Sequence, residues 1–291
     1  MAAGPPEIPG AEHRYAEIGR ERLRVHYAEA GEGPPLLMLH GWPQHFWSWR
    51  RVVPLLADSF RMICPDLRGF GWSEAPGGGY DPGTFAADAV ALLDELGIER
   101  AFLMGHDWGG FSGLLACMRH PDRIERLVAL NTPVPWPELS PKLALHAWRT
   151  WYAVLVAAPL IGPRLLERRP NLVAEFMRGD GEPMSKADAR VFSEPLSQPE
   201  QAHATQALYR GYLRTLVTAP LSGPYDHERL TTPTLLLFGA GDRAITPLAT
   251  RAREGMADDL RVELVEGCGH FIQEERPELV AKRAAEHFAG G

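Results

Sequence analysis

Apolar and polar residues follow two different periods along the chain, and the change of period marks the predicted elements. Residues 23–30, LRVHYAEA, have the two-residue period of a half-buried strand, and residues 35–41, PLLMLHG, form a buried strand that ends in a glycine turn. Residues 84–98, TFAADAVALLDELGI, carry apolar side chains at helical spacing. Thr84 is the predicted N-cap of this helix and Gly97 its end.

The alternation of strand and helix continues to residue 131 and returns at residue 233. We predict strands at 61–69, 101–106, 125–131, 233–239 and 261–267, and helices at 108–120, near 246–256, and at the end of the chain to about 289. Short apolar strands that alternate with helices indicate a mostly parallel sheet covered on both faces.

Residues 134–220 interrupt this alternation, because they are helical in composition and contain no clear strand. The sequence therefore predicts one α/β core, made of residues 1–133 and 221–291, with a helical insertion between the two parts. Residues 1–13, rich in Pro and Gly at their start, are expected to form a loose leader. An insertion at the carboxyl ends of parallel strands covers the crevice where such sheets bind ligands, so we expect a lid.

Composition adds limits on partners and location. The chain has 37 acidic and 30 basic residues, and its net charge of -7 argues against nucleic acid or an anionic membrane as the main partner. The longest apolar run, residues 152–162, is too short to span a bilayer. Cys64, Cys117 and Cys268 lie far apart without a CxxC pair, which favours buried thiols in a reducing compartment. With no signal-peptide pattern at the start, we expect a cytoplasmic protein.

The hexapeptide GHDWGG, residues 105–110, has the outline of a strand-to-helix turn that presents a nucleophile. Gly105 and Gly109 would permit the tight turn and close packing of helix on strand. The position that normally carries Ser is Asp107. The ordinary alternative is that Asp107 only caps the helix, since Asp is favoured at that position.

Two further motifs fall at ends of predicted strands of the same sheet. His270, in GCGHF, follows the last strand, and Asp242, in GAGD, follows the strand before it. The chain order nucleophile, acid, base is that of a hydrolase triad on this topology, with His270 as general base and Asp242 as the carboxylate that orients it. Backbone N–H groups of Trp42, in HGWP, and Trp108 are the predicted oxyanion donors.

Other positions for the acid are less favourable. In some relatives of this topology the acid follows the sixth strand, but residue 131 is Asn and cannot carry the charge. Asp226 and Glu274 are less well placed along the chain.

Taken together, HGWP, PDLRGFGWSE (65–74), GHDWGG, GAGD and GCGHF resemble the α/β-hydrolase superfamily and, within it, the epoxide hydrolases. The resemblance implies an eight-stranded, mostly parallel sheet flanked by helices, with a helical cap inserted after strand 6. It also implies a cis peptide at Trp42–Pro43 and no metal or organic cofactor. PDLRGFGWSE is interpreted as a structural loop, so Asp66 is not placed among the catalytic residues.

An aspartate nucleophile changes the predicted reaction. Attack by a carboxylate on a carbonyl gives an anhydride, whereas attack at a saturated carbon gives an alkyl ester that activated water cleaves. Asp107 therefore indicates displacement at carbon, with an epoxide oxygen or a halide as leaving group. An epoxide oxygen leaves as an alkoxide and needs a proton, for which the phenol of tyrosine is suited.

The resembled family uses two tyrosines of the cap to hold the epoxide oxygen. RTWYAVLVA (149–157) matches the first segment at Tyr152, and ALYRGYL (207–213) matches the second at Tyr209. Tyr212, three residues later, shares a helix face with Tyr209 and is the alternative for the second tyrosine. Phe46, Trp47 and Trp148 are expected to line an apolar substrate pocket.

The sequence thus predicts an epoxide hydrolase that converts a small hydrophobic epoxide and water to a vicinal diol, acting as a monomer or homodimer. The main alternative is a haloalkane dehalogenase with the same triad, in which the indole of Trp108 would bind the halide. Its usual Asn or Glu after HG is Trp42 here. The alternative from another class is a hydrolase-fold protein that binds an apolar ligand without catalysis.

Overall fold

One eight-stranded sheet forms the centre of the structure, a computed structural model that describes residues 4–178 and 184–290. At residue 147 and residues 217–222 only the backbone is described. The strands are β1 (Ala11–Ile18), β2 (Leu23–Ala30), β3 (Pro35–Leu39), β4 (Arg61–Pro65), β5 (Ala101–His106), β6 (Ile124–Leu130), β7 (Thr234–Gly239) and β8 (Leu260–Val265). Their order is β1-β2-β4-β3-β5-β6-β7-β8. β2 pairs antiparallel with β1 and β4, and all other neighbours are parallel. The predicted sheet is confirmed.

Helices cover both faces of the sheet. They are α1 (Val53–Leu56), α2 (Pro82–Glu95), α3 (Trp108–Arg119), α4 (Pro141–Leu145), α5 (Trp151–Ala157), α6 (Ile161–Arg168), α7 (Pro170–Arg178), α8 (Lys186–Ser193), α9 (Pro199–Ser222), α10 (Ile272–Glu275) and α11 (Pro277–Phe288). The apolar strand β3 shows the two layers, since Leu37 packs with α2 and α3 while Leu36 packs with α1 and α11. Burial on both faces explains why its sequence is apolar throughout.

Helices α4–α9 lie between β6 and β7, and we call residues 134–222 the helical insert. No strand of the sheet falls within its described residues. The longest helix, α9, brings Tyr209 to the sheet, where the side chain is buried against Trp42. The treatment of this insert as a domain separate from the core remains an interpretation of the sequence.

The beginning of the chain differs from the predicted leader. Residues 11–13, assigned to the loose leader, belong to β1, and the side chain of Ile8 is buried. The indole Nε1 of Trp47 donates a hydrogen bond of 3.0 Å to the carbonyl oxygen of Glu7. This strand is hard to recognise from sequence, because of its eight residues only Ala16 and Ile18 are buried.

Two smaller expectations about helices were wrong. The N-cap of α2 is Asp81, whose side chain accepts a hydrogen bond of 3.0 Å from the Thr84 backbone N–H. The predicted helix near 246–256 is absent, and only a 3₁₀ turn at Pro247–Thr250 forms there. Backbone hydrogen bonds from residues 249–253 to residues 134–138 replace the helical ones, so this segment fastens the insert to the core.

Candidate active site

Asp107 occupies a strained turn between β5 and α3. Its φ of 51° lies in the left-handed region that non-glycine residues seldom adopt, and which Asp tolerates better than most. The flanking glycines make the turn fit: a Cβ at Gly105 would lie 2.5 Å from the Gly109 carbonyl oxygen, and one at Gly109 would lie 2.3 Å from that of Leu39. The sequence therefore folds into a turn that projects the Asp107 side chain from the end of the sheet.

The carboxylate of Asp107 is partly buried and has polar partners. The backbone N–H of Trp42 donates a 3.1 Å hydrogen bond to Oδ2, and the N–H of Trp108 lies close to the carboxylate. Burial raises the pKa of Asp107 to about 6, although the nearby His270 and the two N–H groups act in the opposite direction. The Trp42–Pro43 peptide is cis, as the resemblance implies. A partly buried carboxylate that is held by the Trp42 N–H is suited to nucleophilic attack.

Asp242 and His270 form a second buried polar unit beside Asp107. The Nδ1–H of His270 donates a 2.8 Å hydrogen bond to Oδ2 of Asp242, and the other oxygen accepts bonds from the N–H groups of Ala244 and Ile245. Burial lowers the pKa of His270, but the charges of Asp242 and Asp107 outweigh it and raise that pKa to about 9. Burial likewise opposes ionisation of Asp242, and His270 reverses this, so the pKa of Asp242 lies below its usual value.

Asn131 occupies the position that carries the acid in some relatives, and it takes part in the site in another way. Its Nδ2 donates to Oδ2 of Asp242 at 2.8 Å and to the carbonyl oxygen of Gly269 at 3.1 Å, while its Oδ1 accepts from the N–H of Gly239 at 3.2 Å. Asn131 thus holds the acid and the segment before His270 together. The sequence showed that this residue lacks a charge but gave no sign of these contacts.

His106 was also not recognised from sequence. Its Nε2–H donates a 2.9 Å hydrogen bond to the backbone carbonyl oxygen of His270, and the two rings lie 4.9 Å apart. Burial and the neighbouring His270 lower the pKa of His106 to about 3, so the ring is neutral at ordinary pH. The available signal in the sequence was the position of His106 directly before Asp107, because a side chain at that end of β5 reaches the segment that carries His270.

Three tyrosines of the helical insert converge on the nucleophile. The rings of Tyr152 and Tyr209 lie 5.7 Å apart, and those of Tyr209 and Trp42 lie 5.1 Å apart. The hydroxyls of Tyr152 and Tyr209 approach each other, and burial raises the pKa of both phenols. Tyr212 packs edge-on against Trp108 at 5.6 Å and hydrogen-bonds with Thr150.

The structure does not bring the three predicted pocket residues to the site. Phe46 is fully buried among His26, Trp72 and other rings, and Trp47 packs against Phe192 and Arg50. The side chain of Trp148 is 69% exposed. These aromatic residues were chosen from composition near the motifs, which does not show the direction of a side chain. The aromatic side chains next to Asp107 are instead those of Trp42, Trp108, Tyr152, Tyr209 and Tyr212.

The other acidic residues and the cysteines considered in the sequence lie away from Asp107 or are paired with other side chains. The described residues contain no group of three or more His, Cys, Asp or Glu side chains arranged to hold a metal ion. Glu274 is buried and ion-paired with Arg50 at 2.5 Å, and Asp226 pairs with Arg253. The three cysteines are buried and free, as predicted.

Comparisons with known proteins show the family of the chain. The family model of the alpha/beta hydrolase fold matches residues 34–277. A soluble epoxide hydrolase of Corynebacterium sp. (strain C12) is 32% identical over 281 residues, which cover 91% of this chain and 94% of that protein. Haloalkane dehalogenase 2 of Mycobacterium bovis (strain ATCC BAA-935 / AF2122/97) is 31% identical over 290 residues, covering 97% of both.

A solved structure gives the same result for the fold. The epoxide hydrolase CorEH, without ligand, has a TM-score of 0.82 to this chain at 31% identity, covering 96% of this chain and 99% of that one. The family model and these relatives each span most of the chain. The chain therefore belongs to the epoxide hydrolases of the α/β-hydrolase family.

Proposed function

We propose that this protein opens epoxides to vicinal diols through a covalent ester on Asp107. The observation that carries the proposal is the pair of phenols of Tyr152 and Tyr209, whose rings lie 5.7 Å apart beside the carboxylate of Asp107. A halide leaves as a stable anion, whereas an epoxide oxygen must be protonated as its bond to carbon breaks. Two buried phenols that remain protonated are suited to the second reaction.

In the first step an oxygen of Asp107 attacks a ring carbon, and the bond from that carbon to the epoxide oxygen breaks. The electron pair goes to the oxygen, which takes a proton from Tyr152 or Tyr209. The products are a hydroxyalkyl ester on Asp107 and a tyrosinate. Because their pKa values are raised, the phenols give up this proton to an alkoxide but not to bulk water at neutral pH.

In the second step His270 takes a proton from water, and the resulting hydroxide attacks the carbonyl carbon of the ester. The N–H groups of Trp42 and Trp108 stabilise the tetrahedral oxyanion, which collapses to release the diol and the Asp107 carboxylate. His270 thus ends the cycle protonated, and the tyrosinate is restored by the proton that His270 lost through solvent when the ester formed. Water is consumed, and the enzyme is restored.

Esterification itself prepares His270 for the second step. In the free enzyme the negative charge of Asp107 helps to raise the pKa of His270 to about 9, a value at which the ring is protonated at neutral pH. The ester has no charge, so this contribution is lost once alkylation has occurred. The pKa of His270 therefore falls in the intermediate, and the ring becomes a base when a base is required.

Dehalogenation is the second candidate, because the Mycobacterium bovis relative named haloalkane dehalogenase 2 is as similar as the epoxide hydrolases. In this structure the indole of Trp108 packs edge-on against the rings of Tyr209 and Tyr212. A non-catalytic role is disfavoured because nucleophile, base and orienting carboxylate are all together. The deciding assay offers an aryl epoxide and a bromoalkane separately and measures diol and bromide. Bromide without diol would overturn the proposal.

The covalent step is tested by removing the base. His270→Gln should stop ester hydrolysis while alkylation continues, so the peptide that contains Asp107 gains the mass of one substrate molecule. Asp107→Asn is the matched control and should show no adduct. Mass spectrometry after a single addition of epoxide measures both. An unmodified Asp107 peptide in the His270 variant would contradict covalent catalysis.

The acids are tested in the helical insert. Replacing both Tyr152 and Tyr209 with Phe should lower the rate of epoxide opening by about 10²- to 10⁴-fold, the usual contribution of general acid catalysis. Tyr225→Phe, at a tyrosine packed against Phe111 of α3, is the control and should retain activity. Full activity in the double variant would show that Tyr212 or another group supplies the proton.

A further inference from the structure

The helical insert exposes a continuous apolar segment to solvent. The exposed fractions are 69% for Trp148, 58% for Trp151, 61% for Val154 and 67% for Leu160, and Leu155 and Ile161 are exposed as well. We call these six residues the 148–161 surface. Large apolar side chains that gather in one exposed segment mark a site of interaction, whereas single ones are normal.

Helix α5 shows why this surface is unusual. Its sequence, WYAVLVA, contains no charged residue. Ala153, Val156 and Ala157 face the interior, and Trp151, Val154 and Leu155 occupy the outer face at helical spacing. A helix that is apolar on all sides is normally covered on all sides. The outer face of α5 is therefore exposed to solvent, although its composition is that of a buried surface.

The charge around this surface is opposite in sign to that of the whole protein. Residues 139–178 contain six Lys or Arg and two Asp or Glu, in a chain with a net charge of -7. Lys142, Arg164, Arg168 and Arg169 are exposed, and Glu175 is the exposed acidic residue of that range. The net charge of the chain, which argued against an anionic membrane, conceals this local excess of positive charge.

We propose that the 148–161 surface docks on an anionic phospholipid membrane. Tryptophan and aliphatic side chains beside exposed Lys and Arg are the composition of segments that lie in the membrane interface. An isologous contact between two copies would instead place the same arginines near one another, and like charges disfavour such a contact. No helix in the described part of the chain is long and apolar enough to cross a membrane, so the inferred mode is lying on the surface.

The surface adjoins the candidate active site. Tyr152 follows Trp151 in α5, and Nη1 of Arg149 donates a 2.9 Å hydrogen bond to the backbone carbonyl oxygen of Asp242. An apolar substrate dissolved in the bilayer would therefore meet the insert close to the nucleophile. This consequence rests on the proposed function, whereas membrane binding itself is measured without substrate and stands or fails separately.

The test is flotation of the full-length protein with phosphatidylcholine vesicles that contain or lack phosphatidylglycerol. The wild type should float with the anionic vesicles and bind the neutral ones much more weakly. Trp148→Gln/Val154→Gln should weaken binding by about tenfold or more, because two apolar side chains no longer enter the membrane. Leu55→Gln/Val262→Gln, which alters two exposed apolar residues of the core, is the matched control and should bind like the wild type.

The charge contribution has its own variant. Replacing Arg164, Arg168 and Arg169 with Gln should weaken binding to anionic vesicles by about a hundredfold and leave binding to neutral vesicles unchanged. The matched control replaces three exposed arginines of the core with Gln: Arg20, Arg100 and Arg251.

Two results would overturn the proposal. One is the absence of binding to anionic vesicles by wild-type protein whose circular dichroism shows it to be folded. The other is a dimer in light scattering that Trp148→Gln/Val154→Gln converts to a monomer, which would assign the surface to a contact between two copies of the chain.

Discussion

His270 and His26 each form a 2.8 Å hydrogen bond from Nδ1 to Oδ2 of a buried aspartate, Asp242 in one case and Asp66 in the other. The two pairs lie at opposite regions of the same sheet. Asp242 follows β7, whereas His26 belongs to the antiparallel strand β2. By the distance between ring and carboxylate alone, the pairs cannot be distinguished.

Their surroundings separate them. His26 is fully buried, its Nε2 lies 3.1 Å from Nδ1 of His13, and Phe46 and Trp72 pack against its ring. Asp66 accepts hydrogen bonds from the N–H groups of Phe46 and Trp72, so it fixes two loops.

In the other pair, the charge of Asp107 acts on His270 from close by. An Asp–His pair therefore indicates catalysis only when a nucleophile lies beside the ring, and otherwise it joins segments of the fold.

The largest expected effect is a loss of kcat when Asp242 is replaced, which replacement of Asp66 should not cause. Asp242→Asn should lower kcat by about 10⁴-fold, because an amide neither selects the tautomer of His270 nor stabilises its protonated form. The variant should still fold, although it loses the stability that Asp242 gives through the raised pKa of His270, so kcat is measured well below its midpoint of thermal unfolding. Steady-state diol formation and circular dichroism measure the two properties. A variant that lost activity only because it unfolded would contradict the distinction.

The reverse result is expected for the structural pair. Asp66→Asn should lower the free energy of unfolding by about 3 to 5 kcal/mol, the usual cost of breaking a buried ion-paired network. Any folded fraction should retain its kcat, because Asp66 does not belong to the Asp107 site. Urea titration followed by tryptophan fluorescence gives the stability. A large loss of kcat in fully folded protein would mean that Asp66 acts on the reaction.

The regions around the two pairs should also respond to pH with opposite sign, through His270 in one and through His13, next to His26, in the other. The pKa of His270 is raised from 6.5 to about 9, so its contribution to stability is complete below pH 6.5 and is lost as pH rises through 9. The pKa of His13 is lowered from 6.5, by burial and by His26, so its neutral form is favoured and stability is lost as pH falls below 6.5.

Each histidine contributes at most about 1.4 kcal/mol per pH unit. The difference in unfolding free energy between wild type and His270→Gln should therefore change on the alkaline side, and that for His13→Gln on the acidic side. Urea titrations over a series of pH values measure both differences. Equal pH dependence in the two variants would contradict the difference between the surroundings of the two pairs.

The sequence predicted the parts of the molecule that depend on local pattern. Buried parallel strands such as β3 are apolar throughout, and the turn around Asp107 requires glycines at fixed spacing. These features can be read from a few adjacent residues. The order of the triad along the chain follows from the same topology.

The parts that were missed depend on residues far apart in the chain. Asn131 contacts Asp242 across 111 positions, and His106 contacts His270 across 164. The wrong helix near 246–256 has the same cause, since backbone bonds to residues 134–138 replace its internal ones. Local propensity does not include such partners, and the direction of aromatic side chains such as Phe46 is equally a property of the packed fold.

The left-handed turn at Asp107 has a consequence for the reactions that this fold can support. The positive φ is a property of the Asp107 backbone, and the close packing around the turn is possible because Gly105 and Gly109 have no side chains. None of those contacts depends on which nucleophile the turn presents. An exchange of a hydroxyl for a carboxylate at this position can therefore change the reaction while the turn, the sheet and the position of the base stay the same.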